Sequence, residues 1–348
     1  MREQWRRLRI LGLVGKIVFC CGVNYCGCSV SSVYYMINNK LVIKFIGISV
    51  RSSLIKLLDK TLLFRYSLPN KQLGLDRIDI STLEDDAFEC VSDSSLSEII
   101  YNSIIESSFN EFDITGKDLE SLLGAALRTK IKYKEHQTDE TKIKYGFFGE
   151  VLLYLMIYHF YKSKPLISRG YFYNPLENSE TKGYDSYHLV EENGNVELWF
   201  GEVKFRDTLG SGAKSAIEGL DKAFTDAYLE ENVLAMVNHT NNFAMTGSKI
   251  EEIIGLWLDN SSINIIDEVK KHKMKLVYPI LLIYPDNSKD FKSKIKKTID
   301  HINSKYSEKQ YSASVSIELF FILVPVSNVK KIKEDVIGWI SSKKPLLS

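Results

Sequence analysis

One segment constrains this chain more than any other. Asn193-Gly194 stands between two strand-like runs, Gly183–Val190 and Val196–Phe205. Asn-Gly is the strongest short hairpin signal, because a type I′ turn needs positive φ at both central residues. With these two as the turn, Glu192 pairs with Asn195. The register then sets Leu189 opposite Leu198, Tyr187 opposite Phe200 and Asp185 opposite Glu202. Directly opposed residues bring their Cβ atoms to about 4.5–5.5 Å on one face. Two carboxylates there repel, and the apolar pairs beside them predict partial burial. Such a pair is costly unless a cation or a proton lies between the groups.

Lys204 shares the face of Glu202, two residues on. Asp185, Glu202 and Lys204 thus offer two oxygen ligands for a hard divalent ion and one ammonium within reach, with the Val203 carbonyl as a further ligand. Mg²⁺ suits such a set, since it takes carboxylates together with waters and phosphate oxygens. The chemistry implied is metal-assisted hydrolysis of a phosphodiester, with Lys204 orienting or helping to deprotonate the attacking water. The plainer readings are exposed strand carboxylates and a surface Glu202–Lys204 ion pair.

A fourth residue precedes the hairpin. Glu150 lies in a helix expected over about Tyr145–Tyr161, on a flank with Tyr154, Ile157 and Tyr161, where it is the odd charge. It is expected at the site, although a carboxylate near a helix N-terminus also complements the helix dipole.

Around these residues the pattern alternates between helix and strand. Helices are expected at Leu96–Ser107, from Asp118 onward (Leu119, Leu122, Leu123, Ala126, Leu127), through Ile217, Leu220, Phe224 and Tyr228, at Lys292–Ser304 and at Val329–Ser341. Strands are expected at Leu41–Val50, Leu166–Tyr173, Leu276–Tyr284 and Val315–Val326, and a charged loop at Lys132–Lys144. The order predicts an α/β fold with a mixed sheet flanked by helices. The 348 residues suggest about two domains. We expect an extension over 1–35, an N-terminal α+β region over 36–117, and a catalytic domain over 118–348.

The extension carries Arg2, Arg6, Arg7 and Arg9 before an apolar run from Ile10 to Val23. Lys16 interrupts the run, no small-x-small cleavage site follows, and the run falls short of the ~20 residues of a spanning helix. Export is therefore set aside and a cytoplasmic protein expected. Four of the five cysteines (Cys20, Cys21, Cys26, Cys28) crowd into this extension. Their spacing lacks the two separated knuckles of a structural zinc site.

Other motifs fall short. Gly210-Ser211-Gly212-Ala213-Lys214-Ser215 fails the phosphate-loop pattern, because Ala213 precedes the lysine. A helix start there can still hold a DNA phosphate, and Lys182, Arg206 and Lys214 are expected to contact DNA phosphates. His159 and His188 show no metal spacing. No G-x-S-x-G elbow supports a serine hydrolase.

Glu150 on a helix, then Asp185, then Glu202-Val203-Lys204 resembles the PD-(D/E)xK nuclease superfamily. Tyr184 stands where the superfamily has its proline. More narrowly, Gly146–Glu150, Lys182-Gly183-Tyr184-Asp185 and Gly201–Phe205 resemble the HamA family, the nuclease subunits of Hachiman anti-phage systems, and its relative AbpA. The resemblance implies a restriction-endonuclease-like core, and a DNA endonuclease or nickase acting beside a superfamily 2 helicase partner of the HamB kind. It assigns metal binding to Glu150, Asp185 and Glu202, and catalysis to these with Lys204. Mg²⁺ is the expected cofactor, with Mn²⁺ as substitute. Two competing expectations are a non-catalytic nucleic-acid-binding or interaction subunit with the same fold, and a membrane-tethered effector using Ile10–Val23.

The net charge of +1 excludes a uniformly basic nucleic-acid coat protein but hides an asymmetry. Residues 1–35 carry +4, residues 286–348 carry +5, and residues 36–285 hold −8.

Overall fold

The computed structural model describes residues 17–18, 31–37, 40–46, 50–68, 80–82, 85–114, 116–174, 176–177, 179–180, 183–192, 195–237, 239, 249–258, 263–286, 290–306 and 314–347. The cysteine cluster, Lys182 and the turn residues Asn193-Gly194 lie outside these. The chain divides into two compact units, Met1–Arg51 with Ser348, and Ser52–Leu347. In the first, β1 (Ile17–Val18), β2 (Ser31–Ile37) and β3 (Lys40–Ile46) form an antiparallel sheet.

The second unit opens with α1 (Ser52–Thr61), β4 (Leu62–Leu68), β5 (Ile80–Thr82) and β6 (Asp85–Cys90). Helices α2 (Asp93–Ser108), α3 (Glu111–Ile114), α4 (Leu119–Thr129), α5 (Asp139–Lys142) and α6 (Phe147–Phe160) follow. A broken stretch comes next: β7 (Lys164–Pro165), a 3₁₀ turn at Arg169–Phe172, β8 (Tyr173–Asn174) and β9 (Ser179–Glu180). The hairpin is β10 (Ser186–Glu192) and β11 (Asn195–Phe205). The rest is α7 (Leu209–Ala223), α8 (Asp226–Val237), α9 (Lys249–Leu258), α10 (Ile265–Lys271), β12 (Lys275–Pro285), α11 (Phe291–Tyr306), β13 (Ile317–Val326) and α12 (Val329–Ser342).

The main sheet runs β4-β6-β13-β12-β11-β10-β7, with β5 also pairing β13. Strands β11, β12 and β13 are parallel to one another, and β13 is parallel to β5 and β6. The outer pairs β4/β6, β10/β11 and β10/β7 are antiparallel, so the sheet is mixed and the α/β expectation holds. Strands buried on both faces read as continuous apolar runs, and β12 and β13 do so: Leu281, Phe321 and Ile322 are each 0% exposed. One face of the sheet packs against α7 to α11 through residues such as Leu220, Phe224, Tyr278 and Phe321. On the other face lies α6, apolar all round and buried from Phe147 to Ile157 except at Glu150. Strands β4, β5 and β6, from the segment expected over 36–117, join the sheet that carries the hairpin.

Three elements differ from expectation. The charged loop expected at Lys132–Lys144 contains the short helix α5. Leu166–Tyr173 is not a strand. The Leu166 N–H still donates to Tyr187 O (3.0 Å), but the chain then leaves the sheet, the Ser168 N–H donates to Asn110 Oδ1 (3.1 Å), and the 3₁₀ turn follows. The helix expected through Tyr228 is two helices. Phe224 caps the end of the first, and Thr225 Oγ1 accepts the Tyr228 N–H (3.3 Å) to start α8, as short hydroxyl side chains do at helix starts.

Candidate active site

The hairpin has the register its sequence predicts, from Glu192–Asn195 through Leu189–Leu198 and Tyr187–Phe200 to Ser186–Gly201. It departs from that register at Asp185. The Asp185 N–H donates to Gly201 O (2.8 Å), the residue already paired with Ser186. Two residues of one strand thus stand against one of the other, as in a β-bulge. Asp185 and Glu202 therefore do not form the expected ladder pair. Instead an Asp185 carboxylate oxygen, Oδ2, accepts the Val203 N–H (2.9 Å), taking the place of the ladder partner that β10 no longer supplies.

Glu202 and Lys204 lie on one face of β11 and form an ion pair, both partly buried. Tyr278 Oη, on the neighbouring β12, donates to Glu202 Oε2 (3.4 Å). Burial pushes the Asp185 carboxyl up to about 7 and repulsion from Glu202 adds to it, while Arg169, Lys204 and the Val203 N–H oppose the rise. A carboxyl in that state gains from a cation beside it.

Glu150 reaches the site because α6 lies close to β11. A Cβ at Gly149 would meet Val203 Cγ2 at 2.7 Å, so only glycine permits this approach. Glu150 and Asp185 line one cleft, together with Lys130, Tyr154, Arg169 and Tyr187. Glu202 and Lys204 are not among its lining residues. Side chains alternate along a strand, so with Val203 turned to α6 these two face the Tyr278 side. Asp185 is the link between the halves, sharing the cleft with Glu150 and the field of Glu202. Among the described residues no three His, Cys, Asp or Glu side chains form a ready metal cluster. Mg²⁺ needs only one or two carboxylates when waters and substrate phosphates complete its shell. The hard oxygens of Asp185 and Glu202, adjacent and repelling, fit that requirement.

The remaining expected residues stand apart. Arg206 is exposed, and its N–H donates to Ile283 O (3.1 Å). Lys214 is exposed and pairs with Glu218 (3.8 Å) one turn along α7. The Gly210–Gly212 stretch is the first turn of α7, capped by Thr208 Oγ1 accepting the Ser211 N–H (3.1 Å). His188 is buried against Ser163 Oγ (3.0 Å), and burial pushes it down to about 3. His159 pairs with Asp59 (2.6 Å), so the two histidines serve separate contacts.

Three residues at the site escaped the sequence reading. Asn232, 3% exposed on α8, accepts the Tyr187 hydroxyl (2.8 Å) and the Tyr184 N–H (3.3 Å), fixing the strand that delivers Asp185. Arg169 and Lys130 line the cleft. A mid-helix asparagine was the only available hint, and it is not specific.

No curated protein matches the chain. The HamA family model matches residues 62–340, which spans the sheet, the hairpin and α6. That is most of the chain, and it includes every acid placed at the site. The chain belongs to the HamA family, that of a defence protein of Hachiman anti-phage systems.

Proposed function

We propose that this chain is a Mg²⁺-dependent deoxyribonuclease of the PD-(D/E)xK type, a cytoplasmic anti-phage effector that cuts or nicks DNA alongside a helicase partner. The observation that carries this reading is the Asp185 carboxylate accepting the Val203 N–H (2.9 Å) beside the Glu202–Lys204 ion pair, where burial and repulsion from Glu202 favour a cation. Mg²⁺, or Mn²⁺ in its place, would supply there the charge that polarises a phosphate and lowers the pKa of a water. Asp185 and Glu202 would hold that ion, and Glu150, in the same cleft as Asp185, would bind or orient a water. Glu202 keeps the Lys204 ammonium at the site, and Lys204 Nζ orients the attacking water or takes part in moving its proton. Tyr278 Oη steadies the second Glu202 oxygen.

The test is plasmid cleavage by the purified chain with its helicase partner and Mg²⁺. Glu202→Gln and Lys204→Met are each expected to lower the rate by about 100-fold or more. Wild-type rates from both variants would reject the assignment. DNA binding without cutting by the unaltered complex would mark a non-catalytic binding subunit instead.

A further inference from the structure

The cleft beside Asp185 holds two cations that the proposed chemistry does not use. Lys130 is the C-cap residue of α4, and Arg169 opens the 3₁₀ turn. Gly170 locks the two segments together. A Cβ at Gly170 would meet Ser108 O at 2.5 Å and Lys130 Cβ at 2.9 Å, so the turn lies against the end of α2 and the root of Lys130. Both cations then line the cleft with Glu150 and Asp185.

Each cation is held by aromatic packing. Lys130 Nζ lies 3.7 Å from the Tyr171 ring centroid and 5.7 Å from that of Phe109. The Arg169 guanidinium lies 5.6 Å from the Phe172 ring centroid. Burial lowers the Lys130 pKa although Asp113 nearby opposes the fall, so a further anion beside the ammonium is favoured. A guanidinium presents a planar fork that matches phosphate oxygens, and an ammonium adds a point charge. The cleft therefore sets carboxylates next to anchored cations. That is the arrangement needed to take one part of a polyanion at a metal and the adjoining part at fixed positive charge.

We propose that Lys130 and Arg169 form a phosphate clamp, holding a backbone phosphate that flanks the scissile one. The identity of the strand rests on the nuclease reading above. The clamp also answers a charge problem, because residues 36–348 together carry −3 and give DNA no long-range attraction.

The test is fluorescence anisotropy of a labelled duplex oligonucleotide titrated with the full-length chain, without divalent metal, between about 50 and 200 mM salt, the range over which phosphate contacts weaken steeply. Lys130→Gln and Arg169→Gln keep part of each packed stem. Each is expected to raise Kd about tenfold at the lower salt and to reduce the salt slope by about one. Wild-type Kd and slope in both variants would overturn the clamp and leave Arg169 as an internal counter-ion of Asp185. Absence of measurable binding by the wild-type chain counts against it equally. Should Arg169→Gln fail to fold, Lys130→Gln decides alone. Because no cleavage is read, the clamp and the nuclease reading can fail separately: the first in this titration, the second in the plasmid assay.

Discussion

Asp85 is a second buried carboxyl, 4% exposed, and it serves the fold. Its Oδ1 accepts the Phe321 N–H (2.8 Å) beside the β6/β13 pairing. Burial raises it from 3.8 to about 7, and the neighbouring Asp86, which accepts the Tyr161 hydroxyl (2.6 Å), adds to the rise. Here the folded pKa lies above the unfolded one, so the folded chain holds the extra proton between those values. The stabilisation is complete below pH 3.8 and is lost as pH rises through about 7. Over that window, linkage to this one group costs at most about 4 kcal/mol of stability. Asp85→Asn keeps an oxygen for the Phe321 N–H and removes the charge. Urea unfolding of the variant between pH 5 and 8, at about one-unit steps, is expected to show a flatter pH dependence and greater stability than wild type at the alkaline end. A wild-type slope in the variant would assign the pH dependence to other groups.

At the scale of elements, the decisive contact is α6 on β11. A long apolar run marks α6, and alternation with an Asn-Gly turn marks β10 and β11. Nothing local says that Gly149 will sit 2.7 Å, measured from an added Cβ, from Val203 Cγ2. Gly149→Ala gains up to about 1 kcal/mol of helix propensity but must force Val203 aside, at about 1–3 kcal/mol for an overpacked core. The expected net effect is destabilisation with reduced cleavage, since Glu150 is the next residue. Combined with Val203→Ala, the substitution should recover, and a double-mutant cycle should give a favourable coupling of about 1 kcal/mol or more. Simple additivity would mean that α6 and β11 adjust independently. The same scale explains why Leu166–Tyr173 reads as a strand. Its apolar residues are buried, but against α2 and the hairpin rather than along the sheet, so strand-like composition survives without strand geometry.

For the whole molecule, the last helix closes the second unit. The Asp93 carboxylate at the start of α2 accepts the Ser327 and Asn328 N–H groups (3.0 and 2.7 Å) just before α12. The Tyr101 hydroxyl on α2 donates to Lys344 O (2.5 Å) just after it. Between them Val329, Ile332, Val336, Ile337 and Ile340 are buried. Uncovering five such side chains costs on the order of 10 kcal/mol at about 2 kcal/mol each, as much as the whole stability of an ordinary domain. A chain ending at Val326 is therefore expected to lose cooperative unfolding, followed by circular dichroism on heating. A sharp transition at the full-length temperature would show that α12 is dispensable.

The sequence by itself determined what depends on near neighbours. Residue period marked most helices and strands, and the Asn-Gly pair predicted the hairpin register found from Glu192 to Ser186, one residue short of Asp185. Tertiary structure decided what depends on residues far apart in the chain. It added β4 to β6 to the hairpin's sheet, turned Asp185 onto the Val203 N–H where β10 ends, and set Glu150 beside Asp185 in one cleft. It also brought Lys130 and Arg169 into one cleft through Gly170, a contact without any trace in local pattern. The physical reason is range. Turn chemistry and side-chain alternation act over a few bonds, whereas close approach and burial are settled only when distant segments pack.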